Sequence, residues 1–275
     1  MIRILATHDL DALRELLAHD PVCNLFLLGW LSSTPLTRAP WYGYFQADRL
    51  VGVTLVVDGR LAVPFALDPA DARPIGFQLR IDRLAPGMVV GPRETCDILW
   101  EAWWPRSNPR LRYDQRLYIL DRCPPEPMVA GFRLANSADQ PRLLVPSARM
   151  EEEDLGRNPM ILDPVQHDTL VRDRIRAKRT WVIERDGELV FHINVGTQLA
   201  HACQVGGTYV PPAARGLGLG AAGMRSLSRA ILKGIAPETS RMLTLHVNEA
   251  NLPAVRAYER AGFARSTAFR LLSAT

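Results

Sequence analysis

The chain has 275 residues, enough for one large or two ordinary domains at roughly 150 residues each. Hydrophobic residues make up 47% and charged residues 23%, a globular composition that excludes disorder, a collagen-like repeat and a coiled-coil rod. The formal charge of +4 comes without a basic block, and only Lys178 and Lys233 are lysines; nucleic acid is not an expected partner, whereas a phosphate-bearing small molecule suits the mild positive balance.

The first residues, MIRILATHDLDALRELL, mix acids and bases without an apolar core and cleavage site, so a secretion signal is not expected. Thr7 reads as the cap of an amphipathic helix carrying Leu10, Leu13, Leu16 and Leu17 on one face. The apolar stretch from Val22 to Leu31 is broken by Asn24 and Gly29 and falls short of the ~18 residues of a membrane span. A cytoplasmic protein with no membrane partner is expected. Cys23, Cys96, Cys123 and Cys203 lie far apart without a C-x-x-C pair, which fits reduced thiols better than disulfides or a zinc site; no metal is expected.

From Trp41 to Phe65 the pattern is strand-like, with turns at Ala47-Asp48 and Asp58-Gly59. Met88 to Val90 reads as a short strand, Glu94 to Trp104 as a helix and Leu111 to Leu120 as an alternating strand. Residues 121 to 131, DRCPPEPMVAG, have the composition of a linker. The expected domains are therefore 1–122 and 130–275. In the second, a strand near Phe132 precedes helices around 137–151 and 164–178. Two strands joined by Asp186-Gly187 follow, then a strand from Ala202 to Val210, a glycine-rich turn and a helix over 219–233. A strand from Met242 to Val247, a helix over 252–261 and a last strand complete it. The fold class is α/β, a mixed sheet with helices on both faces.

The most informative segment is QVGGTYVPPAARGLGLGAAGMRSLSRAIL. Pro211-Pro212 must end the strand, because proline cannot donate to a ladder. The glycines let backbone approach a ligand, and the unpaired N–H groups at the start of the next helix favour an anion such as pyrophosphate. Gly218, Gly220 and Gly223 also spell the dinucleotide fingerprint G-x-G-x-x-G. Its context is wrong: Pro211 to Arg215 intervene between strand and glycines, and no train of βαβ units follows.

Arg215, Gly218 and Gly220 instead match R/Q-x-x-G-x-G/A, and the segment resembles motif A of the GNAT acyltransferase superfamily. Downstream, LHVNEANLPAVRAYERAGF is similar to the same family's second signature, with Asn248, Asn251, Ala254, Tyr258, Gly262 and Phe263 in its places. The resemblance covers roughly residues 130 to 275, and MEEEDLGRNP at 150 to 159 resembles a bacterial subgroup with an extra amino-terminal domain. It implies a mixed-sheet GNAT fold in the second domain, preceded by a smaller α/β domain. The first domain has a comparable element order but no glycine loop at its joint VVGPRETCDIL, as a degenerate copy would. Covering the acceptor site and forming a homodimer are the uses it suggests.

The resemblance implies acetyl-CoA, or another acyl-CoA, as co-substrate and an amine as acceptor. The cofactor would be held by Val210, Arg215, Gly216, Leu217, Gly218, Leu219, Gly220, Asn248 and Asn251, with its pantetheine arm between two splayed strands. Asn251, ahead of Pro253, also reads as a helix N-cap. Tyr258 would hydrogen-bond or protonate the departing thiolate; burial as a core aromatic is the alternative. Relatives often carry a base on the strand before motif A, where this chain has Gln204, an amide that cannot take a proton. By alternation Gln204, Gly206 and Thr208 share one face and could hold a relaying water. His192, His201, Glu152, Glu153 and Asp154 are the reserve candidates. The expected function is acyl transfer from CoA to an amine, and the alternative is an acyl-CoA sensor without turnover.

Overall fold

A computed structural model describes residues 1–85 and 87–274. The chain opens with β1 (Ile2–Ile4), α1 (Leu10–Ala18), α2 (Leu25–Ser33), β2 (Trp41–Gln46), β3 (Arg49–Val57) and β4 (Leu61–Ala66). It continues through α3 (Ala72–Ile81), β5 (Met88–Pro92), α4 (Arg93–Trp103) and β6 (Leu111–Leu120). Next come β7 (Phe132–Leu134), α5 (Gln140–Leu155), α6 (Pro159–Leu162), α7 (Pro164–Arg176), β8 (Thr180–Arg185) and β9 (Glu188–Gln198). The last elements are β10 (Cys203–Tyr209), α8 (Leu219–Leu232), β11 (Leu243–Asn248), α9 (Leu252–Arg260) and β12 (Ala264–Ser273).

Two compact units result. One comprises Met1–Leu117, His246–Ala250 and the residues from Arg265 on; the other comprises Tyr118–Leu245 and Asn251–Ala264. The linker-like run at 121–131 thus falls inside the second unit, and the last strand is counted with the first.

In the first unit β1, β2, β3 and β4 pair antiparallel in sequence order, and β4 pairs parallel with β5. β12 lies antiparallel on the far side of β5, with Leu271 opposite Val90. Strand alternation separates two cores. Val53 and Leu55 join Leu13, Leu16, Leu17 and Leu27 from α1 and α2, whereas Val56 and Val89 join Ile75, Leu79, Leu99 and Trp100 from α3 and α4. The turns at Ala47-Asp48 and Asp58-Gly59 have positive φ at both residues; the first is a two-residue hairpin, whose twist that geometry suits, and the second closes with Arg60 as a third loop residue.

α3 is not among the elements expected from the sequence, and it contains both Pro74 and Gly76. Pro74 lies in the first turn, where its missing N–H costs nothing. A Cβ on Gly76 would stand 2.7 Å from Ala102 Cβ and the Leu99 carbonyl oxygen, so the glycine lets α3 and α4 approach closely.

The second unit repeats the plan. β7, β8, β9 and β10 pair antiparallel in order, and β10 pairs parallel with β11. α5 and α7 supply Leu143, Val171 and Ile175 to a core with Val182, while α8 packs on the opposite face, where Gly223 meets the Phe191 ring. The repeat extends to side chains. Arg3 grips buried Asp9 in the first unit, and Arg133 grips buried Asp139 at 2.6 Å in the second, after the same spacing. Each aspartate also accepts a backbone N–H at the start of its helical turn, from Ala6 at 2.9 Å and from Asn136 at 2.8 Å. The first turn is therefore tied by Asp9, not by a Thr7 cap. Both carboxyls are held below their ordinary pKa, chiefly by the arginine hydrogen bonds.

Both parallel pairs are short. Among the described residues register holds only at Leu61↔Met88 and Ala62↔Val89 in the first unit and at Cys203↔Leu243 and Gln204↔Thr244 in the second; beyond those residues β4 and β10 run on without that described partner. By this correspondence the counterpart of the glycine turn after β10 is the joint after β4, Leu67-Asp68-Pro69, rather than VVGPRETCDIL. Asp68 there accepts the Ala70 N–H, and burial together with Asp68 raises the Asp71 carboxyl. Two carboxylates stand where an anion would have to bind.

Candidate functional site

In the second unit a cleft of about 470 Å3 opens between α5, the end of β10, the glycine turn and α9. β10 ends at Tyr209, and a single helical turn, Pro212–Ala214, carries the chain to Arg215. Gly216 and Gly218 adopt φ of +80° and +73°, and a Cβ at either position would meet nothing within 4 Å. The backbone conformation, not crowding, demands glycine here. Gly218 is the N-cap of α8, whose first bond runs from the Ala222 N–H to the Gly218 carbonyl at 3.0 Å. The N–H groups of Leu219, Gly220 and Ala221 therefore have no partner within the helix, and with the helix dipole they form a site for an anion.

Of the residues expected from sequence to hold the cofactor, Val210, Arg215, Gly216, Gly218, Leu219, Gly220 and Asn251 line this one cleft with Tyr258. Leu217 is not among the lining residues and is 68% exposed. Asn248 ends β11 and accepts the Ala250 N–H at 3.1 Å; it does not line the cleft. Asn251 caps α9 by accepting the Ala254 N–H at 3.2 Å, as its place before Pro253 predicts. Gly223 serves packing, since its Cβ would fall 2.4 Å from Phe191.

Arg215 is already engaged. Its Nε donates to the Val210 carbonyl at 2.9 Å, one terminal nitrogen reaches both oxygens of Glu153 at 2.8 Å, and the guanidinium stands 5.4 Å from the Tyr209 ring centre. It closes the turn back on the strand and ties it to α5.

Tyr258 is half-buried, and its ring lies 6.4 Å from that of Phe263. Burial raises its hydroxyl pKa, a hydrogen bond with Thr208 opposes the rise, and the Asp154 charge adds to it. The phenol is thus protonated at neutral pH and available as a donor.

β10 is not regular. Its register against β9 shifts between Gly206 and Tyr209, and Gly207 has a φ of +61°, the mark of a bulge. The expected shared face of Gln204, Gly206 and Thr208 is therefore broken. Thr208 turns to the cleft, with Oγ1 4.0 Å from Met224 Sδ, and Gln204 remains at the start of the strand, outside the lining residues.

The reserve candidates separate in the same way. His201 does not line the cleft. His192 is buried in a small void facing α5 and α7, and burial, with Arg174 adding, depresses its pKa to about 4. Glu152 accepts from Asn158 at 3.2 Å. Glu153 and Asp154 line the cleft, and burial together with the Glu153 charge raises the Asp154 carboxyl above its ordinary value. Sequence reasoning missed Arg256 and Arg260, which line the cleft from α9. Their spacing of four on a helix was legible as one face, but not which face.

Residues 147–263 match the model of the Acetyltransferase (GNAT) family. No curated protein sequence matches the chain. Among solved structures, a GCN5-related N-acetyltransferase from Sphaerobacter thermophilus superposes with a TM-score of 0.63 at 17% identity, covering 98% of this chain and 94% of its own. A tandem GNAT protein from the clavulanic acid biosynthesis pathway gives a TM-score of 0.58 at 15% identity, covering 100% and 98%. A GNAT-family acetyltransferase from Colwellia psychrerythraea gives 0.54 at 12%, covering 99% of each chain. At such identities the likeness is one of fold, and it extends over both units. Both units thus have the fold of GNAT proteins, and the cleft-bearing segment, residues 147–263, is the part that matches the GNAT acetyltransferase family.

Proposed function

We propose that the second unit transfers an acyl group, in the first instance acetyl, from CoA to an amine by direct attack. The observation that carries this reading is that one cleft holds both the anion-ready turn at Gly216–Ala221 and the Tyr258 hydroxyl. The turn suits the coenzyme's pyrophosphate. The amine nitrogen attacks the thioester carbonyl, the C–N bond forms, the C–S bond breaks, and the electron pair leaves on sulfur. Tyr258 stabilises that thiolate. Because its pKa is raised, donating a hydrogen bond costs less than giving up the proton, and the reference gap to a thiol is already about 1.5 units.

The amine's proton needs an acceptor. Gln204 cannot take it, and Asp154, set in the cleft with a raised pKa, is the carboxylate that takes its place in this reading, directly or through water. The first unit, with Asp68 and Asp71 where the second has its glycine turn, is read as a copy that has lost the coenzyme site.

Release of free CoA from acetyl-CoA, measured across a panel of amines, tests the reading. Amine-dependent release supports it. Tight acetyl-CoA binding without release from any amine favours a sensor, the alternative that the amide at Gln204 suggests.

A further inference from the structure

α9 brings two guanidiniums to the coenzyme cleft that neither the glycine turn nor Tyr258 accounts for. Arg256 and Arg260 lie four residues apart, both exposed and both lining the cleft, and four residues on a helix return to the same face. Between them stands Ala257, whose Cβ would lie 3.6 Å from a Cβ on Gly220 in the first turn of α8. The two arginines therefore flank the point where α9 touches the phosphate turn. Arg215, by contrast, is occupied by Glu153 and the Val210 carbonyl.

Among the described residues the Arg256 and Arg260 side chains have no hydrogen-bond or ion-pair partner. Among the described residues Arg260 is engaged through its backbone carbonyl, which accepts from Arg225 at 3.4 Å. Two free planar donors on one face, next to a turn that can hold only the phosphates its amides reach, form a second anion site. Paired N–H groups of a guanidinium match phosphate oxygens. CoA carries a phosphate on the ribose besides its pyrophosphate.

We propose that Arg256 and Arg260 bind the ribose 3′-phosphate of the coenzyme and so select CoA over its 3′-dephospho form. The proposal rests on the reading of this cleft as a CoA site. The assignment divides the labour: the amides of α8 hold the pyrophosphate, and α9 recognises the additional phosphate.

The test is calorimetry of CoA and 3′-dephospho-CoA with the full chain and with Arg256→Gln/Arg260→Gln, in low and in physiological salt. Circular dichroism checks that the variant is folded. The wild type should prefer CoA by about tenfold or more, the order expected for charge-assisted hydrogen bonds. In the variant the preference should fall to within about threefold, with 3′-dephospho-CoA affinity nearly unchanged, and the wild-type preference should shrink as salt rises. A preference retained in the variant, equal loss of both ligands, or no preference in the wild type overturns the proposal. A folded wild type that binds neither ligand overturns the coenzyme reading itself.

Discussion

Glu153 holds Arg215 through both carboxylate oxygens, each 2.8 Å from the same guanidinium nitrogen. The pair joins α5 to the turn that would bind pyrophosphate, so an incoming anion meets an arginine already neutralised. Both side chains are about half-exposed, which limits the pair to roughly 0–1 kcal/mol. Glu153→Gln should therefore tighten acetyl-CoA binding by up to about fivefold, measured by calorimetry. Weaker binding in this variant would show that Glu153 holds the turn in its working shape rather than competing for it.

Two glycines of the same segment should fail in different ways. Gly218→Ala meets no atom but forces a left-handed φ of +73°, costing roughly 1–2 kcal/mol; the loss should appear mainly as weaker acetyl-CoA binding. Gly223→Ala drives a methyl against Phe191 and should destabilise the fold by about 1–3 kcal/mol. Thermal unfolding and calorimetry on both variants distinguish the two roles.

Tyr258→Phe keeps the ring and removes the donor. Since the thiolate charge appears only as the C–S bond breaks, kcat should fall by about 100-fold or more while acetyl-CoA affinity changes little. Equal kcat would return Tyr258 to a packing role against Phe263.

Asp154 should govern the acidic limb of the rate profile. A carboxyl raised by desolvation in the cleft and by Glu153 loses its proton at a higher pH than an ordinary aspartate, so kcat/KM should rise with pH through that raised pKa. In Asp154→Asn that limb should be replaced by the titration of the amine substrate itself, with a loss of about 100-fold at neutral pH. An unchanged profile in the variant rejects Asp154 as the base.

His192 should make the fold acid-sensitive. Its pKa falls from an ordinary 6.5 to about 4, so between these values the unfolded chain takes up a proton that the folded one refuses. Stability is full above pH 6.5, falls as the pH drops and loses about 3 kcal/mol from this group by pH 4. His192→Leu should flatten the slope of unfolding free energy between pH 7 and 5. An equally steep slope would assign the sensitivity to other groups.

Periodicity and turn chemistry are local, and they were enough to place most helices and strands, the hairpins at Asp58-Gly59 and Asp186-Gly187, the N-cap at Asn251 and the glycine turn. These features depend on residues within a few positions of one another, so the order of amino acids carries them directly. The repeated plan of the two units was also written in the chain, as the matched spacing of Arg3 and Asp9 with Arg133 and Asp139, but only the shared grip of each pair reveals it. Other features arise where distant segments meet. β12 pairs with β5 across most of the chain's length, and strand pairing of that kind leaves no local signal. The bulge at Gly207 moves Thr208 into the cleft and leaves Gln204 outside it, because one added residue reverses every face beyond it. The partner of Arg215, the packing duty of Gly223 and the presence of Arg256 and Arg260 beside the glycine turn follow from how α5, α8 and α9 lie against the sheet. The sequence by itself determined the elements and the chemistry of the turn; the tertiary structure decided which charges face that turn, because a helix pattern names a face without naming what it will meet.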